Sequence, residues 1–280
     1  MKNPLWETEA DFFVRGILRI FAVLKISSRF DYDYTKMSHH RYFNFPVCFL
    51  KDFLTDTKSC LNNINDYSLY AYSQIMYLDD EYDFEGMETE IVDMIRMDCA
   101  LEFYGLEMYY SEKQMALMRG KRVYKEASFH APKVGLNLDI FNDFYNNDKS
   151  EFEKVCLLAF LGLKSIIGTK SYCKTDNKYL LSRMNGSALS HDIDKLPDAL
   201  KKYAGEYQLK KIKKELVKHW GLKTYSRYTR GFYVSYTLNL EKLMYEAEKK
   251  RKTNTDKQRK LEEKAMLEKV LKKLAGDVHQ

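Results

Sequence analysis

Lysines at helical spacing are the residues in this chain most suited to a chemical function. Between Glu206 and Trp220, cations recur at intervals of three and four, so they share one face of a helix: Lys210, Lys211, Lys214 and Lys218. Another face of the same helix is apolar and carries Leu209, Ile212, Leu216 and Trp220. Exposed cations in such a row neutralise phosphates and release counterions. The segment therefore predicts an amphipathic helix whose lysine face is either simply solvated or binds nucleic acid; the arginines that follow it favour nucleic acid.

Two arginines follow this helix in a different setting. After Gly221 the apolar period changes from 3.6 to 2, which predicts two strands over residues 222–226 and 231–238. Their connection carries Arg227 and Arg230 at the tip of a β-hairpin. Arginines suit a narrow minor groove, whereas lysines mostly position a protein on DNA. Two further candidates for contacts to a base edge or a phosphate are Gln208 and Arg183.

Residues typical of catalysis or metal binding lack the spacing that those functions need. The five cysteines are widely separated and form no C-x-x-C pair, which favours reduced, mostly buried thiols. His39 and His40 are adjacent, so their side chains would point apart, and the stretch from His191 to Asp194 is more typical of a polar turn than of a metal site. No glycine-rich phosphate loop, G-x-S-x-G or H-E-x-x-H motif occurs. We expect a non-enzymatic protein without a cofactor; a metal-dependent nuclease stays open, because distant carboxylates could meet in space.

The charge is divided unevenly along the chain. The net charge is +6, but residues 201–280 hold 22 basic and 10 acidic side chains, whereas residues 1–200 hold 24 basic and 30 acidic ones. An acidic body with a basic end predicts a polyanionic partner for the C-terminal part. The sequence has no uncharged apolar run of about 20 residues and no signal-peptide pattern. We therefore expect a cytoplasmic protein that does not enter a membrane.

The elements that position these residues are mainly helical. Only 4 prolines and 12 glycines interrupt the chain. Apolar periodicity predicts helices over residues 7–24, 46–61 and 87–118, with a tyrosine-rich segment over 66–78 between the last two. An Asn- and Asp-rich turn then marks a domain boundary, so we assign residues 1–145 to a helical domain for oligomerisation or for binding a protein partner.

The second half begins with the most apolar segment, Val155 to Ile167, which predicts a buried central helix. A short helix over residues 177–185, the basic helix and the hairpin follow it. The tail, residues 239–280, is basic and helical in pattern, with a break expected at Thr253–Thr255. Two heptads of leucines in the tail fall short of a coiled coil.

Four of these elements, in order, resemble the winged-helix variant of the helix-turn-helix DNA-binding domain: residues 151–168, 176–186, 206–220 and 222–238. The resemblance covers about 90 residues, roughly a third of the chain. It implies that residues 206–220 form the recognition helix, with its four lysines facing DNA, and that Arg227 and Arg230 lie at the tip of the wing. The layout is similar to that of replication initiators and regulators of bacterial mobile elements.

One feature departs from the family pattern. About twenty residues, from Ser187 to Gly205, separate the two helices that the family joins by a turn of 3–4 residues. Either a short helix, started by Pro197, is inserted there, or the two helices are paired differently.

The sequence therefore predicts a mainly α protein with a helical N-terminal domain, a winged-helix-like domain over residues 150–238 and a basic helical tail. The expected function is non-enzymatic binding of double-stranded DNA, in transcription regulation or replication initiation of a bacterial mobile element. The alternative is a helical adaptor that binds a protein through residues 1–145 and does not bind DNA.

Overall fold

The computed structural model of the protein describes residues 41–75, 88–127, 132–227 and 231–277. These residues are mainly helical and include a small sheet, so the prediction of a mainly helical fold with a β-hairpin is confirmed. The predicted helix over residues 7–24, the residues His39 and His40, and Arg230 lie outside the described residues.

Helices make up most of the described chain, and short strands occur between groups of helices. The helices are α1 (Thr57–Ile75), α2 (Thr89–Tyr104), α3 (Tyr110–Glu126), α4 (Leu138–Asn146), α5 (Glu151–Ile167), α6 (Asn177–Met184), α7 (Asp198–Lys201), α8 (Glu206–His219) and α9 (Leu240–Asp277). The strands are β1 (Tyr42–Pro46), β2 (Lys133–Asn137), β3 (Cys173–Thr175), β4 (Lys223–Tyr225) and β5 (Phe232–Ser235). Short 3-10 turns occur at Val47–Leu50 and Ile193–Lys195.

The chain divides into two compact units, and each unit combines distant parts of the sequence. Among the described residues, the first unit comprises 41–43, 63–75, 88–126 and 136–143. The second comprises 44–62, 127, 132–135, 144–227 and 231–277. Residues 44–62, which the sequence analysis assigned to the N-terminal domain, therefore belong to the same unit as the basic C-terminal elements.

Aromatic residues fill much of the core of the first unit. The ring of Phe43 packs edge-on against Tyr104 and Phe141, with ring centres 4.7 and 4.9 Å apart. Helix α3 lies close to α1 at Gly120, where a Cβ atom would fall 2.6 Å from the carbonyl oxygen of Asp66. A glycine is required there because any side chain would collide with the backbone of α1.

The second unit is built around α5, as its apolar sequence predicts. The helix begins with a capping box, in which Ser150 Oγ accepts a hydrogen bond from Glu153 N and the Glu153 carboxylate accepts one from Ser150 N. This arrangement satisfies two backbone donors at the helix start. Both α6 and α8 pack against α5, which buries nearly its whole length.

Residues 44–62 complete the apolar core of this unit. Leu50 and Phe53 are buried and line a small cavity together with Leu158, Met184 and Leu200. Nearby, the backbone of the 3-10 turn approaches Gly186 so closely that a Cβ atom there would lie 2.8 Å from the carbonyl oxygen of Val47.

A three-stranded antiparallel sheet, in the order β3-β5-β4, covers one side of the second unit. In the central strand, Val234 pairs with Cys173 on one side and with Thr224 on the other. The predicted hairpin corresponds to β4 and β5, whereas the third strand, β3, was not anticipated. Because β3 lies between α5 and α6 in the chain, its pairing with β5 attaches the hairpin to the helices.

Two predicted helices have other boundaries in the structure. The helix predicted over residues 46–61 begins only at Thr57, because Pro46 ends a strand and Asp56 caps the helix by accepting a hydrogen bond from Ser59 N at 3.0 Å. The helix predicted over residues 87–118 is two helices. Gly105, with φ of +66°, ends α2, since few residues other than glycine adopt that conformation.

The break predicted in the tail at Thr253–Thr255 was wrong. Helix α9 is continuous through this segment. The hydroxyl groups of Thr253 and Thr255 donate hydrogen bonds to the carbonyl oxygens of Lys249 and Arg251, at 3.0 Å each. The threonines are therefore accommodated within the helix by bonding to the preceding turn.

Candidate nucleic-acid interface

Helix α8 is fixed to the second unit by its apolar face. Leu209, Ile212 and Leu216 are buried, as their spacing predicts. The helix ends at Gly221, which has φ of +71°, and the N–H of Leu222 closes the turn by donating to the carbonyl oxygen of Leu216 at 3.1 Å. Packing therefore holds the opposite face of α8 toward solvent.

All four predicted lysines lie on the exposed part of α8, but their environments differ. Lys210 forms an ion pair with Glu206 at 2.8 Å, within the helix. The Nζ of Lys211 lies 4.5 Å from the centre of the Phe152 ring, a cation–π distance. Lys214 and Lys218 have no ion-pair or ring partner within the described part of the chain. These two lysines are therefore the cations of α8 most available to a phosphate.

Lys213 was not among the predicted site residues, and it points inward. Its Nζ donates a hydrogen bond to Asn177 Oδ1 at 3.0 Å and lies 4.2 Å from the centre of the Phe232 ring. Burial lowers the pKa of this lysine below its usual value. One side chain thus connects α8 to the start of α6 and to β5. Its position, four residues after Leu209 and three before Leu216, is the sequence signal for an inward orientation.

The prediction that Arg183 contacts DNA is corrected by its burial. The residue is only 3 % exposed. Its guanidinium donates to the Tyr179 hydroxyl and to the carbonyl oxygen of Ala188, and it lies 5.1 Å from the centre of the Tyr179 ring. The side chain holds the residues after α6 in place and is not accessible to a phosphate or a base.

The remaining predicted residues differ in exposure. Gln208 is half-buried beside the apolar face of α8. Arg227 is exposed next to β4 and interacts with Tyr225, whose hydroxyl also donates to Glu248 Oε1 at 2.8 Å. Hydrogen bonds from Tyr225 and Arg251 lower the pKa of Glu248. Arg230 lies outside the described residues, so the hairpin tip is represented here by Arg227.

The segment between Ser187 and Gly205 contains the inserted helix that the sequence suggested. Helix α7 begins directly after Pro197. Before it, the stretch from His191 to Asp194 forms a polar turn, in which His191 Nε2 lies 2.6 Å from Ser187 Oγ and Asp192 accepts a hydrogen bond from Lys178 at 2.6 Å. No cluster of possible metal ligands occurs among residues 41–75, 88–127, 132–227 and 231–277.

Helix α9 begins against the sheet and then leaves it. Leu243 and Ala247 are buried against Tyr233, with Tyr172, Tyr225 and Leu238 around them. From residue 249 to residue 269 every side chain is exposed. No helix in the described chain is both long and apolar enough to cross a membrane.

The basic excess is concentrated before α9. Residues 201–239 contain ten basic and two acidic side chains, whereas residues 240–280 contain twelve basic and eight acidic ones. Helix α8 and the hairpin thus contribute more net positive charge than the longer tail. This distribution favours a cationic surface on α8 and the hairpin over a nonspecific attraction of polyanions by the tail.

Comparison with protein families, with curated proteins and with solved structures gives no match.

Proposed function

We propose that residues 150–238 form a winged-helix domain that binds double-stranded DNA through α8 and the β4–β5 hairpin. The observation that carries the proposal is the outer face of α8, where Lys214 and Lys218 are exposed, one helical turn apart, and have no partner among the residues that the structure describes. An α-helix fits the major groove, and ammonium groups on its outer face would bind the phosphates along the groove.

The sheet supports this proposal because it gives the hairpin a fixed position. A two-stranded hairpin alone is marginally stable in water. Here β5 pairs with β3 as well as with β4, and Lys213 connects α8 to Phe232 on β5. The helix and the hairpin can therefore bind one duplex as a single rigid surface, with Arg227 near the hairpin tip. The process served is transcription regulation or replication initiation of a bacterial mobile element, as the resemblance implies.

Charge reversal on α8 tests the proposal. We expect the wild-type protein to bind a mixed-sequence duplex with an affinity that falls linearly with salt on logarithmic axes. In the variant Lys214→Glu/Lys218→Glu the slope should decrease by about two, and binding at low salt should weaken about a hundredfold, because two phosphate contacts are lost and two repulsions are added. Fluorescence anisotropy at four salt concentrations measures both quantities.

The first unit provides a matched control. Lys121→Glu/Lys125→Glu makes the same change of charge at the same spacing on α3, where both lysines are also exposed. This variant should bind DNA within about threefold of the wild type, since Lys121 and Lys125 are not part of the proposed surface. Equal losses in both double variants, or binding that does not respond to salt, would contradict the proposal.

A second candidate function, a protein-binding adaptor, is favoured by one observation in the first unit. Large apolar side chains are exposed on α3 and just before it: Tyr109, Tyr110, Met115 and Met118. Exposed apolar groups of this kind often mark protein-binding sites. The adaptor function predicts that Lys214→Glu/Lys218→Glu leaves partner capture unchanged, whereas Met115→Glu/Met118→Glu abolishes it. The two candidates are thus separated by one pair of variants.

A further inference from the structure

Tyr207 lies in the first turn of α8 and is 77 % exposed. It precedes Lys211 and Lys214 by four and seven residues, so its side chain shares their face of the helix. It has no hydrogen bond and no ring contact within the described part of the chain. Tyr207 is therefore a free aromatic side chain within a row of cations.

The space around the start of α8 is open. A Cβ atom placed on Gly205 would have no atom within 4 Å, and no side chain caps the helix. Among the neighbouring side chains, Glu206 is already bound by Lys210 and Gln208 is half-buried. Tyr207 is thus the side chain of this turn that can reach a ligand without breaking an existing contact.

Contacts from lysines to phosphate position a protein on DNA without reading its sequence, so a sequence preference needs a side chain that reaches the base edges. A recognition helix presents the residues near its N-terminus to the base edges of the major groove. Those edges include one apolar group, the C5-methyl of thymine, and the acceptors O4 and N7. A tyrosine matches both features, since its ring is apolar and its hydroxyl donates a hydrogen bond.

We propose that Tyr207 is a specificity-determining residue that contacts thymine in the major groove, with the ring against the methyl group and the hydroxyl donating to a neighbouring base acceptor. The inference depends on the proposed DNA binding and adds the base that is read. Lys214 and Lys218 hold the duplex, and Tyr207 selects among sequences.

Selection from a random duplex library, with wild type, Tyr207→Phe and Tyr207→Ala, is the first measurement. Wild type should enrich a thymine-containing site, and Tyr207→Ala should bind that site about tenfold more weakly, with an unchanged salt slope and unchanged affinity for mixed-sequence DNA. Tyr207→Phe should keep the thymine preference and lose only discrimination at the adjacent base.

Replacement of the selected thymine by uracil tests the contact directly, because it removes only the methyl group. Wild type and Tyr207→Phe should bind the uracil duplex about fourfold more weakly, whereas Tyr207→Ala should not distinguish the two duplexes. Tyr109→Ala, at a tyrosine of similar exposure in the first unit, should behave as the wild type.

The outcomes separate this inference from the proposed function. Salt-dependent binding without sequence preference, or a preference that survives in Tyr207→Ala, overturns the role of Tyr207 and leaves DNA binding standing. No binding of the wild type to any duplex at low salt overturns both.

Discussion

Helices α8 and α9 are both rich in lysine, yet the protein holds them in opposite ways. Helix α8 is packed along its length by Leu209, Ile212 and Leu216, so its outer lysines have fixed positions. Helix α9 is packed near its start, by Leu243 and Ala247, and its side chains are exposed from residue 249 to residue 269. Its cations partly pair within the helix, as in Arg251–Glu248 and Arg259–Glu263. A basic composition alone therefore does not fix the positions of cations; the packing of α8 on its apolar face does.

Truncation of a buried side chain of α8 should have the largest effect, a loss of folding stability. Leu216→Ala should lower the free energy of unfolding by about 2–5 kcal/mol, because it leaves a cavity between α8 and α5. Leu267→Ala, at a leucine of α9 that is 64 % exposed, should change it by about 0.5 kcal/mol or less. Urea denaturation followed by circular dichroism measures both. Similar losses in the two variants would show that α9 is as tightly packed as α8.

Substitutions of two adjacent lysines on α8 should give the next largest difference, in affinity for duplex DNA. Lys214→Met should weaken binding to duplex DNA roughly five- to tenfold at about 0.1 M salt, since one phosphate contact is lost. Lys213→Met should stay within about twofold, because the Nζ of Lys213 is held by Asn177 and the methionine stem can still cover Phe232. Anisotropy titration at one salt concentration distinguishes them. The reverse order of affinities would mean that Lys213 turns outward when DNA binds.

Removal of the residues after Lys252 should have the smallest effect on both DNA affinity and folding stability. A chain that ends at Lys252 loses seven basic and five acidic residues, so the net charge changes little. We expect affinity for a short duplex to fall about threefold or less and the free energy of unfolding to be unchanged, because the side chains of residues 253–269 are all exposed. Parallel titration and urea denaturation of the truncated chain provide the check. A loss comparable to that of Lys214→Met would place α9 among the DNA contacts.

Patterns within one element were the part of the structure that the sequence predicted well. The apolar stripe of α8 and the uniformly apolar α5 each arise from neighbouring residues, so their pattern is visible locally. The period of 2 that predicted β5 does not appear in its burial: all four residues, Phe232 to Ser235, are buried, and Leu243 and Ala247 of α9 pack against Tyr233. The short helix after Pro197 was also predicted, because proline marks a helix start.

Features that depend on distant partners were missed. Strand β3 has three residues, too few to show alternation, and it exists because Cys173–Thr175 pairs with β5 some sixty residues later. The burial of Arg183 was hidden for a similar reason. Helix α6 is buried at five successive positions, from Leu180 to Met184, so its buried residues do not follow one face of the helix. The apolar period therefore did not indicate that Arg183 is inside. Tyr207 was not among the predicted site residues, because the sequence does not show that its side chain is exposed.

Because the second unit combines distant parts of the sequence, its core residues are synthesised at different times. Leu50 and Phe53 leave the ribosome well before the residues that bury them, Leu158, Met184 and Leu200. At a synthesis rate of about 5–20 residues per second, this apolar segment waits on the order of ten seconds for its partners. During that interval the segment stays unpacked, and the proposed DNA-binding surface cannot form until α8 and the hairpin have emerged. The order of translation thus delays assembly of the basic surface until the acidic body has been synthesised.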